Sequence, residues 1–177
     1  MPVIRGQSKL KSLEIGEGNA LSAELASEFG GAGITAHPTP YIFEIPRDFS
    51  KEFGVIVVWN KFEGLATEDR TKIIRDAYRK RAKKSKVPAP YDVQGLTVRE
   101  TLESGALPYS ITPTAHYPED DGEYRTEWNN RMLDAGAIPG LDGRPELRFP
   151  TRDMAEQVLG EMISKMPDAH WRLREWE

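Results

Sequence analysis

Side chains able to do chemistry gather in two places along this chain. One is His116 with Glu119, Asp120 and Asp121, in the segment HYPEDD. An imidazole beside three carboxylates is a donor set that could gather a divalent cation at a turn. The other is a run of six cations in eight residues: Arg79, Lys80, Arg81, Lys83, Lys84 and Lys86. Tyr78 and Tyr91 flank it, and aromatic rings beside positive charge suit stacked bases along a phosphate backbone. Each group also has a plainer reading. The acids 119–121 lack the alternating spacing of a calcium loop and suit a solvated turn. The cations sit where a helix would end, and the helix macrodipole favours positive charge there. On a helix the run 79–86 would spread around most of the surface.

Other chemistries are missing their parts. His37, His116 and His170 stand too far apart to pair at helical spacing, and there is no Cys to serve as nucleophile, disulfide partner or thiolate ligand. No Gly-x-Ser-x-Gly elbow occurs. Gly30, Gly31 and Gly33, and Gly136, Gly140 and Gly143, do not follow a strand in nucleotide-binding spacing. The expectation is therefore a protein with no cofactor. No apolar run approaches the ~20 residues needed to cross a bilayer. The start, MPVIRGQSKLKSLEIGEG, lacks the apolar core of a signal peptide. A cytoplasmic protein without a membrane partner is expected, and the absence of Cys fits a bacterial cytosol.

The elements that must position these groups follow from pattern. Leu21, Leu25 and Phe29 repeat every fourth residue, which predicts a helix over 19–29 stopped by Gly30 and Gly31. Val3 and Ile4 suit a short edge strand. Residues 41–47 alternate as a strand that Pro46 ends, and 53–59 are nearly all apolar, as in a strand buried on both faces. Thr67, Glu68 and Asp69 suit the N-terminus of a helix with Leu65, Ile73, Ile74, Ala77 and Tyr78 on its apolar side. Residues 87–96 (VPAPYDVQGL) read as a linker. Thr97 and Glu100 have capping-box spacing for a helix over 98–104, with Gly105 at its C-cap. Strands are expected over 108–114, 146–149 and 170–176, and helices over 123–135 and after Thr151. Trp128, Trp171 and Trp176 read as core or sheet-face packing.

The fold expected is α+β, with two small α/β sub-domains. Residues 1–90 read α-β-β-α and end in the basic helix. Residues 91–177 read β-α-β-α-β, with helices on one sheet face. Charge divides the same way: residues 1–90 carry 15 basic and 11 acidic side chains, and residues 91–177 carry 9 and 17. The net charge is −4.

One stretch resembles a known family. Phe53-Gly-Val-Ile-Val-Val-Trp-Asn-Lys-Phe-Glu-Gly, followed by Arg70-Thr-Lys-Ile-Ile, is similar to the central motif of BolA-like proteins. There an apolar strand leads through a Phe-Glu-Gly-type turn into a helix that opens on Arg-His. Phe62, Glu63, Gly64, Arg70, Lys72 and Ile74 occupy the matching positions, and the α-β-β-α order suits the family's KH-like topology. The family's His, which helps bind an iron–sulfur cluster with a monothiol glutaredoxin, corresponds here to Thr71. Threonine is not a soft-metal ligand, so the resemblance implies a shared fold and not cluster binding.

The function expected is a non-enzymatic protein-interaction or regulatory module. Its surface would be Trp59, Phe62, Glu63, Gly64 and Arg70, extended by Arg79, Lys80, Arg81, Lys83 and Lys84. Trp59 is either an anchor for the partner or a cover between the halves. Two alternatives stand beside it. One is single-stranded nucleic-acid binding through the helix 79–86. The other is a metal-dependent hydrolase using His116 and the acids 119–121.

Overall fold

Residues Phe53–Val58 carry no polar side chain, and they form the strand around which the first sheet is built. The computed structural model describes residues 4–5, 24–25, 40–47, 52–85, 88–114, 122–140 and 144–176. The chain divides into two units, Met1–Glu100 and Thr101–Glu177. Each combines helix with a small sheet, so the fold is α+β.

In the first unit the strands are β1 (Ile4–Arg5), β2 (Tyr41–Pro46), β3 (Phe53–Val58) and β4 (Asp92–Leu96), in that order across the sheet. β2 and β3 form an antiparallel pair, with Glu44 opposite Val55 and Ile42 opposite Val57. β3 runs parallel to β4. A parallel neighbour needs a crossover, and the helix α1 (Thr67–Ser85) supplies it. Val55 and Val57 share a core with Trp59, Phe62, Ile74, Ala77, Tyr78 and Leu25. Ile56 and Val58, on the opposite sheet face, are buried as well. A strand covered on both sides gains nothing from alternating polarity, which is why its sequence is continuously apolar. Leu25 and Glu24 are helical; the rest of the helix expected over 19–29 lies outside the described residues. Tyr78 closes the core from α1, and its hydroxyl donates to the buried Glu44 carboxylate at 2.8 Å.

The linker expected over 87–96 is largely absent. Asp92–Leu96 is β4, bonded along its length to β3, and the division into units falls after Glu100 instead. The residues that suggested a linker have packing reasons. Gly95 sits where α1 crosses β4 most closely. A Cβ there would lie 3.0 Å from Arg70 Cβ, 3.1 Å from Ile74 Cδ1 and 3.2 Å from Phe62 Cε2. Only glycine leaves room for the helix at that point.

The second unit has strands β5 (Tyr109–Pro113), β6 (Ile138–Pro139), β7 (Pro145–Phe149) and β8 (Trp171–Glu175). They are ordered β6-β7-β5-β8, with every neighbour antiparallel. The helix α2 (Val98–Ser104) begins in the first unit and ends in the second, ahead of β5; α3 (Gly122–Asp134) joins β5 to β6, and α4 (Arg152–Lys165) joins β7 to β8. Chain order and strand order together are those of a split β-α-β arrangement. The short β6 escaped the sequence pattern because two residues show no periodicity. Ile111, Leu147, Phe149 and Trp171 are buried on one sheet face. Trp128 of α3 meets Trp171 there, ring centroids 5.9 Å apart, and α4 packs on β5, β7 and β8. Thr151 caps α4, its hydroxyl accepting from Met154 N. Met154, Ala155, Val158, Leu159, Met162 and Met166 recur at helical spacing; all are buried except Leu159, which is half-buried.

Two glycines give opposite expectations for the same substitution. Gly95→Ala should destabilise the protein by about 1–3 kcal/mol through overpacking. Gly160→Ala, on the exposed side of α4 with no atom near its missing Cβ, should stabilise it by about 0.5–1 kcal/mol. Urea unfolding of the two variants checks both signs. Equal behaviour of the pair would mean that α1 does not press on β4 at Gly95.

Candidate functional site

The Phe-Glu-Gly turn folds inward. Trp59 leaves β3 with its N–H donating to Leu96 O at 2.8 Å, which turns its ring into the core. Asn60–Phe62 forms one turn of 3-10 helix, and Phe62 packs edge-on against Trp59 with centroids 5.6 Å apart. Trp59 and Phe62 are 1% and 0% exposed. Gly64 completes the turn at φ 78°, a conformation that side chains disfavour. Within the Phe-Glu-Gly turn itself, Glu63 and Gly64 face water and Phe62 does not.

Arg70 also points inward. Its guanidinium donates to Leu65 O at 2.9 Å, to Gly95 O at 3.2 Å, and to both oxygens of Glu100 at 2.5 and 3.1 Å. The fork of donors matches the carboxylate in a two-point contact that a lysine could not make. Glu100 Oε2 accepts from Thr97 N at 2.8 Å, and Thr97 Oγ1 accepts from Glu100 N at 3.2 Å. That reciprocal pair is the capping box expected for α2. Asn60 adds its own side-chain oxygen to Val98 N at 3.0 Å. Sequence spacing shows Thr97 with Glu100 but not Arg70 with Glu100, which lie 30 residues apart.

The surface expected from Trp59, Phe62, Glu63, Gly64 and Arg70 is therefore not assembled as a surface. Trp59, Phe62 and Arg70 are interior: the aromatic pair gains by burial, and the cost of burying the guanidinium is offset by its carbonyl and carboxylate acceptors. The basic residues stand apart from them. Arg79, Lys80 and Lys83 are exposed on α1, and Lys83 lies about 20 Å along the helix from Arg70. The backbone at Arg81 and Lys84 is helical. Tyr78 is buried and takes no part in a surface. Tyr91 is exposed, with the Arg47 guanidinium 5.0 Å over its ring.

What α1 does present is a stripe. Lys72, Arg75, Arg79 and Lys83 are exposed at spacings of three and four residues, which align on one side of a helix. Sequence reading began the basic run at Arg79 and so missed Lys72 and Arg75. Beside the stripe runs a groove of about 370 Å³ lined by Thr67, Glu68, Thr71, Lys72, Arg75, Asp76 and Arg79. Asp76 pairs with Arg79 at 2.8 Å. A smaller cleft of about 170 Å³ in the second unit lies between α3 and the end of α4. There Arg131 pairs with Glu127 and donates to Lys165 O.

His116, Glu119, Asp120 and Asp121 lie outside the described residues. Among the described residues no group of three or more His, Cys, Asp or Glu could hold a metal ion. No described helix is long and apolar enough to cross a membrane. Comparison with protein-family models, curated proteins and solved structures finds no match.

The Arg70–Glu100 contact makes stability depend on pH. The hydrogen bond from Arg70 holds the Glu100 carboxyl below its ordinary range against the opposing effect of burial, with further help from Thr97 N–H. A lowered folded pKa means that the charged carboxylate contributes stability above the unfolded value, about 4.3. That contribution is lost as pH falls through the folded value. Glu100→Gln should therefore be less stable than wild type at pH 7, and the gap should close as pH drops below about 4. Denaturant melts across that range check it, and a gap that stays constant with pH would refute the assignment.

Proposed function

We propose that this protein is a non-enzymatic interaction module of the cytosol, and that the exposed stripe of α1 is where it docks a partner. One observation carries the reading: Arg70, Glu100 and Thr97, and Tyr78 with Glu44, satisfy one another, while Lys72, Arg75, Arg79 and Lys83 and the groove beside them face water. A partner of matching chemistry is a protein segment rich in carboxylates. Opposite charge on such surfaces steers association and fixes register. The stripe suits a protein better than a nucleic acid for two reasons. Asp76 neutralises Arg79 and Glu68 lies in the groove. The aromatic beside the run, Tyr78, is buried and offers no base a stacking surface.

The BolA-like resemblance belongs to the same proposal as a statement about fold. What supports it is the order of helix, β2, β3 and α1 in the first unit. What limits it is Thr71, half-buried on α1, with no capacity to hold soft metal.

The test is affinity capture from the native host with wild type and with an Arg79→Glu, Lys83→Glu double variant as bait. Both side chains are exposed, so the melting temperature should stay within the range of surface substitutions. The expected result is a partner held by wild type, resistant to nuclease and absent from the variant. Identical captures by the two baits would remove α1 as the docking surface. A capture abolished by nuclease would transfer the stripe to nucleic acid.

A further inference from the structure

The second unit has a sheet face that its helices do not use. By register, Ser110 of β5 stands between Arg148 of β7 and Arg174 of β8, and Arg172 follows opposite Thr112. Strand alternation places these side chains on the face opposite Ile111, Leu147 and Trp171. Arg172 and Arg174 are exposed and make no ion pair among the described residues. Just past β8, Trp176 is 50% exposed and is held in place rather than loose. Its backbone N–H donates to Pro108 O at 2.8 Å, and its indole N–H donates to Ser110 Oγ at 2.7 Å. The Arg148 guanidinium lies 5.0 Å from its ring centroid, and Glu146 anchors that arginine at 2.7 Å.

We propose that this face binds single-stranded nucleic acid, with Trp176 stacking on a base and Arg172 and Arg174 holding the adjacent phosphates. Three features favour that occupant over an acidic protein. The half of the chain at 91–177 is strongly acidic, with 9 basic against 17 acidic side chains, yet three of its arginines meet on one face, and among the described residues Glu146 is the carboxylate paired there. All three are arginine, whose planar fork suits phosphate oxygens. A tryptophan fixed by one backbone and one indole hydrogen bond and backed by a guanidinium is a preformed stacking platform, which any base can use. Arg172, Arg174 and Trp176 succeed one another at about 7 Å along the strand direction, a stride that an extended polynucleotide can follow.

The experiment is fluorescence anisotropy of labelled mixed-sequence single-stranded DNA and RNA 20-mers with the full chain, across a salt series. Wild type should bind, with affinity falling as salt rises. Trp176→Ala should weaken binding by about 5- to 100-fold, while Trp176→Phe, which keeps a stacking ring, should retain most of it. Arg172→Glu with Arg174→Glu should weaken binding and flatten the log–log salt slope by about 1.4, two phosphate contacts' worth. The α1 variant Arg79→Glu, Lys83→Glu should bind the oligonucleotide as wild type does. No binding at low salt would overturn the proposal. So would affinity indifferent to Trp176, or equal competition by polyaspartate, which would mark the face as a docking site for acidic protein.

Discussion

A buried guanidinium organises the first unit. Arg70 enters from α1 and binds Leu65 O before its own helix, Gly95 O on β4, and the Glu100 carboxylate at the start of α2. Burying a charge this deeply, at 8% exposure, is costly unless every donor finds an acceptor. Here the acceptors come from three separate segments, so the charge is accommodated only when all three are in place. The network explains features around it. Gly95 must lack a side chain because the Arg70 stem passes over it at contact distance. The turn at 62–65 must hold Leu65 O toward Arg70, which Gly64 permits through its positive φ.

This also explains which parts of the molecule could be read from sequence. Elements fixed by local chemistry were legible: the apolar run of β3, the capping box of Thr97 and Glu100, the Thr151 cap and the stripe of α4. Each depends on residues within a turn or a strand of one another. What failed to show were features fixed by distant partners. Gly95, beside Pro88, Pro90 and Gln94, looks like linker composition until α1 is laid across it. Arg70 and Trp59 look like surface residues because arginine usually is one, and because a Trp after a strand is ambiguous. Their burial follows from Glu100 and Phe62, and nothing in local spacing joins Arg70 to Glu100.

The resemblance to BolA-like proteins is instructive for the same reason. Phe62, Gly64 and Arg70, three of its matching residues, serve here as core, turn and buried ion pair. A motif made of such residues reports how a strand turns into a helix. It says little about chemistry, which is where the position of Thr71 matters.

Once the interior claims its own charges, the exposed ones can be sorted by what they lack. On α1 the cations stand near Asp76 and Glu68, and the ring of Tyr78 on the same helix is buried. On the outer face of the second sheet Arg172 and Arg174 stand beside a Trp whose indole is already oriented. Positive charge alone attracts any polyanion, and salt weakens that attraction in every case. An oriented aromatic adds an interaction that a carboxylate-rich peptide cannot return but a nucleobase can. In the two proposals it is therefore the placement of one tryptophan that separates the two basic surfaces, although both carry the same sign of charge.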